Sequence, residues 1–298
     1  MGVQCPLDVA FTDWTREPGK TGRKDSYVDL ADGRLLRKVR TGMVFLQSET
    51  QRIAVGPCLR YDNQVINFIN SQFMNRLQQH GWLICHAAGL VRFGAVLAMA
   101  GFSGGGKSTL MLQLLEDPHF AYLTNDRLFV RTSGEETLAV GIPKLPRINP
   151  GTIVHNPRLQ PLIPKAEREA LLRLPPRELW ELEDKYDVFV DEVYGGDRIA
   201  ERGRLAAFLV LNWQRDSVHA TRVRQVDLRQ RPELLDAIMK SPGPFYQYPD
   251  GSFHRDDAEF DEQAYLDALH GVAVYEVSGR IDFDALAVIC LDELLVSN

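Results

Sequence analysis

Residues 101–108 read GFSGGGKS, the pattern G-x-x-x-x-G-K-[ST] of a phosphate-binding loop. The residues before it, AVLAMA (95–100), form the short apolar run expected of a buried strand, and STLMLQLLED (108–117) reads as the helix that follows. Glycines let successive backbone N–H groups turn toward a polyphosphate, a lysine reaches the outer phosphates, and a serine hydroxyl takes a place on Mg²⁺. The helix N-terminus adds its positive end to the same anion site. Gly101, Ser103, Gly104, Gly105, Gly106, Lys107, Ser108 and Thr109 are therefore the candidate nucleotide-binding residues.

The chain has 298 residues, of which 45% are hydrophobic, which is enough for one large domain or two modest ones with a real core. A net charge of −6 argues against a nucleic-acid surface, because a protein that tracks phosphate backbones carries a positive excess. No apolar run approaches the roughly 18 residues needed to span a bilayer, and no basic segment leads an apolar one near residue 1. The expectation is a soluble, cytoplasmic protein without a membrane partner. The start MGVQCP has Pro6 where an acylation signal wants Ser or Thr. Cys5, Cys58, Cys85 and Cys290 form no C-x-x-C pair and read as reduced thiols.

Residues 1–25 are polar and irregular. From Tyr27 to Leu59, short alternating runs separated by turn residues predict antiparallel hairpins, and residues 62–79 follow a helical period with Val65, Ile66, Phe68, Ile69, Phe73 and Leu77 on one broad face. Residues 26–80 thus form a small β-rich lead-in with a helix. Residues 81–298 mix strands and helices, with hairpins as well as crossovers, and predict an α/β domain with a mixed sheet. Within it, about 157–204 is charged, divided by Pro175-Pro176, and reads as a solvent-covered helical excursion. A helix from about Pro232 to Lys240, the strand VAVYEVSG and a helix from Asp282 to Leu295 complete the pattern.

A phosphate loop does not by itself separate kinase, ATPase and GTPase. The nearest string to a guanine-reading N-K-x-D is Asp184-Lys185-Tyr186-Asp187, which lacks the first residue, and no transporter-type L-S-G-G-Q follows the loop. Asp126 lies eighteen positions beyond Ser108, at the end of AYLTN. A carboxylate at the tip of a neighbouring strand holds Mg²⁺ through water or takes the proton of an attacking hydroxyl, although Asn125-Asp126 also reads as a simple turn. His86, between small apolar residues, suits a hydrogen-bonded core position as well as a catalytic one.

His86-Ala87-Ala88-Gly89, placed fifteen residues before Gly101, then GFSGGGKS, then Thr124-Asn125-Asp126-Arg127, resemble the catalytic core of the HPr kinase/phosphorylase family. The closing stretch VAVYEVSGRIDFDALAVICLDELL also resembles the ends of HPr-kinase-related proteins, nearest to the kinase B group. The resemblance covers roughly 80–150 and 270–295. It implies a phosphoenolpyruvate-carboxykinase-like P-loop fold, ATP with Mg²⁺, and phosphoryl transfer to a hydroxyl, in the founding family a protein serine. By the same resemblance Lys107 grips the β/γ-phosphates, Ser108 with Asn125 and Asp126 holds the metal, Asp126 is the general base, and His86 lies beside the reacting phosphoryl. Related kinases assemble into rings, and that analogy alone is the ground for expecting a homo-oligomer.

This chain also departs from the pattern. Asn125 stands where the family has a first carboxylate; an amide ligates a cation but accepts no proton, so the expectation is a kinase without the reverse phosphorylase reaction. Thr109 stands where the founding family often has an acidic residue. The family's E-x-R-G-x-G stretch is replaced by GIPKLPRINPG (141–151), in which Lys144 and Arg147 read as a phosphate or substrate clamp or as surface charges. Arg198, Arg202 and Arg204 read as a mobile flap over the site or as a solvated charged segment. The acceptor class stays open between a protein serine and a small-molecule hydroxyl, with a nucleotide-binding regulatory protein that transfers nothing as the alternative.

Overall fold

Alternating runs that change direction at Ala31-Asp32 and again near Gly42 can satisfy their backbone groups only by pairing with one another. A computed structural model of the chain, describing residues 25–102, 104–182, 184–255 and 257–294, shows the result. Strands β1 (Asp25–Leu30), β2 (Gly33–Lys38), β3 (Val44–Ser48) and β4 (Arg52–Val55) form a four-stranded antiparallel sheet in chain order, followed by helix α1 (Asp62–Gln79). Residues 241–259 return to this unit. Phe245 packs against Phe45 and Phe68 with ring centroids 5.7 and 4.9 Å away. Arg34, fully buried, pairs with Asp29 and donates to the carbonyls of Pro244 and His254.

Helix α1 faces its core differently from the periodic reading. Phe68, Ser71, Met74 and Asn75 are buried, whereas Ile66, Ile69 and Phe73 are exposed. Asn75 wins an inward place because its amide donates to the Phe245 carbonyl at 2.6 Å, a partner that hydrophobic periodicity does not register.

In the second unit, 81–240 with 260–298, the chain order is β5 (Leu83–Cys85), β6 (Ala87–Arg92), β7 (Ala95–Gly101), α2 (Lys107–Leu114), β8 (Phe120–Thr124), β9 (Leu128–Ser133) and β10 (Glu136–Gly141). There follow β11 (Arg147–Ile148), α3 (Pro150–His155), α4 (Lys165–Leu172), α5 (Pro176–Glu181), β12 (Tyr186–Asp187), α6 (Val190–Tyr194) and β13 (Arg202–Leu211). β14 (Arg222–Gln225), α7 (Leu235–Ile238), α8 (Glu262–Ala268), β15 (Ala273–Ser278) and α9 (Phe283–Ile289) complete it. Nine strands form one mixed sheet, β5-β9-β10-β13-β7-β6-β8 with β15 and β14 alongside; β13 runs parallel to β7 and β15, and the other pairs are antiparallel.

The central strands are apolar on both sides because both faces are covered. Along β7, Leu97 and Met99 enter one core with α2 and α9, while Val96, Ala98 and Ala100 enter the other with α7 and α8, as a period of two requires. The 157–204 segment is helical in parts, and α4 (Lys165–Leu172) buries no residue, but the segment is not wholly solvent-covered as its charges suggest. Its helices α4, α5 and α6 are short, but Leu159, Ile163, Leu179, Val188, Val190 and Tyr194 are buried in the same core as Met111 and Leu112 of α2. Among the described residues no helix is long and apolar enough to cross a membrane.

Candidate functional site

β7 ends at Gly101 beside Leu211, the last residue of its parallel neighbour β13, so the following loop emerges at the end of the central strands. Gly104 and Gly106 have φ of +74° and +81°, which L side chains adopt only with strain. At Gly106 the need is doubled, because a Cβ there would come within 2.5 Å of the Phe283 ring. Trp213 Nε1 donates to the Gly105 carbonyl at 2.9 Å, and Lys107 Nζ folds back onto the Gly101 carbonyl at 3.1 Å. Among the described residues no side chain caps the N-terminus of α2, which begins directly after Gly106. Ser103 lies outside the described residues.

Asp126 sits in the tight connection between β8 and β9, held by the Thr124 hydroxyl donating to the Arg127 carbonyl. Next to it, Asn125 Oδ1 accepts from Ser108 Oγ at 2.8 Å, joining that connection to the glycine loop. His86 lies between β5 and β6, where its backbone N–H donates to the Ile238 carbonyl. That pairing and the bridge between Cys85 and Met239 lay the 238–240 segment beside His86. An imidazole and an ammonium group consequently reach one carboxylate: His86 Nε2 is 3.1 Å from Asp126 Oδ1, and Lys240 Nζ is 3.1 Å from Oδ2.

The electrostatics follow from this arrangement. Burial alone would raise the Asp126 pKa, but the hydrogen bond from His86 and the Lys240 charge outweigh it and hold the carboxyl well below the usual carboxylate range. Lys107 shifts downward, chiefly because burial disfavours its charge, with Asp126 opposing and Lys240 and Lys185 adding to the effect.

His86, Lys107, Ser108, Asn125 and Asp126 line one open cleft of about 1440 Å³, together with Lys144 and Arg147. Burial, then Arg127 and Arg147, lowers the Lys144 pKa, and Arg147 lies against Asp187 at 3.1 Å. Thr109 also lines the cleft, its hydroxyl 2.8 Å from that of Thr152 on α3. Arg202 and Arg204 are elsewhere. They pair with β10 at the start of β13, and Arg204 stands opposite Ala95 while Leu211 stands opposite Gly101. Seven residues of strand separate them from the loop by roughly 23 Å. Arg198 donates to the carbonyls of Leu115, Asp117, Phe120 and Tyr194, and so fastens the turn after α2 rather than reaching the cleft.

Lys240 is the site residue that the sequence reading omits. The helical pattern from about Pro232 continues to Lys240, whereas α7 stops at Ile238 and Met239 is extended. Pro242 was the available signal, since a proline disfavours helix in the residue before it.

The oxygen donors fit Mg²⁺ in its usual manner, with a few protein oxygens and the remainder from phosphate and water. Among the described residues no group of three or more His, Cys, Asp or Glu could hold a metal without such help. Ser108 Oγ, Asn125 Oδ1 and the Asp126 carboxylate supply hard oxygens beside the loop in one cleft.

No family model matches the chain, and no curated protein matches it. Among solved structures, the Hpr(Ser) kinase/phosphatase from Coxiella burnetii aligns at 11% identity with a TM-score of 0.35, covering 70% of this chain and 88% of that one. A likeness that distant carries no argument about what this chain does.

Proposed function

We propose that the chain is a cytoplasmic ATP-dependent kinase that transfers the γ-phosphoryl group to a hydroxyl acceptor, a protein serine or a small molecule. The observation that carries this reading is the carboxylate of Asp126, ionised between His86 and Lys240 and tied through Asn125 and Ser108 to the phosphate loop. Phosphoryl transfer needs positioning and charge neutralisation more than a strong base, because little proton transfer has occurred in a loose transition state. Asp126 would accept the hydroxyl hydrogen bond and, late in transfer, the proton. Lys107 and the loop amides would hold the β- and γ-phosphates, Lys240 would balance the charge that gathers beside the acceptor, and His86 would hold the Asp126 carboxylate in place. Ser108, Asn125 and Asp126 would hold Mg²⁺, which when bound supplies charge neutralisation at the phosphates. Lys144 and Arg147 would clamp the phosphate or the acceptor from the opposite strand connection.

A second reading, a nucleotide-binding regulator without transfer, is favoured by one feature: both oxygens of Asp126 are already engaged, and the Asn125 amide oxygen is engaged by Ser108. Incubation with labelled ATP and fractionated cytosol separates the two. A labelled acceptor supports the kinase; saturable ATP binding with no label in any fraction supports the regulator.

A further inference from the structure

Each of the three consecutive glycines of the loop is met by an aromatic side chain. Trp180 Nε1 lies 3.6 Å from where a Gly104 Cβ would be, Trp213 donates to Gly105, and Phe283 closes on Gly106. Two of the three have structural partners. Trp213 is buried and stacks edge-on against Phe283, with centroids 5.0 Å apart. Trp180 does not share that packing. It stays 39% exposed, in the cleft, on a helix anchored by its buried neighbour Leu179.

Trp180 is also backed by a cation. The Arg215 guanidinium sits 4.0 Å from the centre of its ring. Arg215 also lines the cleft; its cation–π contact orients the indole and covers at most one of its two faces, and Trp180 stays 39% exposed. Leu172, Leu174, Pro176 and Ile281 line the same cleft and give that partner apolar surroundings. A ligand that places phosphates on the loop and a flat heterocycle on this shelf is a nucleoside polyphosphate. From this placement we infer that Trp180, backed by Arg215, is the base-stacking platform of the nucleotide site, and that it selects purines by ring area. The inference rests on the nucleotide reading of the loop and adds to it the element that recognises the base.

The test compares ATP, CTP and inorganic tripolyphosphate, which carries the phosphates without a base, on the full chain by calorimetry with Mg²⁺ present. Stacking on an aromatic side chain is worth enough that Trp180→Ala weakens ATP by about tenfold or more, weakens CTP less, and leaves tripolyphosphate unchanged. Trp180→Phe retains most of the ATP affinity, and the quench of tryptophan fluorescence on adding ATP to the wild type is lost in both variants. ATP affinity unchanged in Trp180→Ala overturns the inference, as does an equal loss for ATP and tripolyphosphate, which would make Trp180 a support for the loop alone. A wild type that binds tripolyphosphate no more weakly than ATP overturns the platform and leaves the loop reading standing. A wild type that binds neither removes the nucleotide reading and this inference with it.

Discussion

Lys240 Nζ lies 3.1 Å from Asp126 Oδ2, although 114 residues separate the two in the chain. The contact helps hold the Asp126 carboxyl well below the usual carboxylate range, with His86 on its other oxygen.

The depressed pKa of Asp126 has a definite consequence for stability. A group whose folded pKa is lowered contributes stability that is present above its unfolded value, near 3.8, and is lost as pH falls through the folded value. Wild type should therefore exceed Asp126→Asn in denaturant midpoint at neutral pH, with the gap shrinking as pH is lowered below 4. Lys240→Met removes one cation, so the carboxyl should titrate at higher pH, measurable as a carboxylate ¹³C shift. An unchanged titration in Lys240→Met would contradict the pairing.

Gly106→Ala tests the loop. Its Cβ would meet Phe283 at 2.5 Å, and the backbone sits at φ +81°. Strain of this kind costs about 1–3 kcal/mol, read by chemical denaturation, with loss of nucleotide affinity beyond the loss of stability. Adding Phe283→Ala should relieve the clash but not the φ strain, so rescue should be partial. Full rescue would assign the whole cost to the ring.

Arg198→Ala should behave as a structural variant. Removing a guanidinium that serves four carbonyls leaves acceptors unpaired and costs about 1–3 kcal/mol. ATP affinity in the folded protein should be unchanged. An affinity loss without loss of stability would instead favour a flap reaching the nucleotide.

What the sequence made legible was local. Strand, glycine loop and helix around GFSGGGKS are contiguous, and their spacing is set by the backbone that must turn there. The mixed sheet and the hairpins of residues 27–59 followed from alternation and turn residues in the same way. Lys240 was lost because tertiary pairing decides its backbone: the His86 N–H and Cys85 capture residues 238 and 239, ending a helix that the local pattern continues. The buried part of 157–204 was hidden for another reason. Leu159, Ile163, Val188 and Val190 are interleaved with prolines and charges at no regular period, so nothing marks them as facing one core. The return of residues 241–259 to the first unit rests on Phe245, whose stretch PGPFYQYPDG reads only as a Pro- and Gly-rich loop.

The most direct measurement is transfer of label from γ-labelled ATP to acceptors in fractionated cytosol by the wild type, Lys107→Ala and Asp126→Asn, with ATP binding measured in parallel. The wild type should label a discrete acceptor. Lys107→Ala should neither bind nor transfer, and Asp126→Asn should bind ATP yet transfer at least about a hundredfold more slowly. Transfer by Asp126→Asn at the wild-type rate, or tight ATP binding with no labelled acceptor in any fraction, would contradict a kinase built on Asp126.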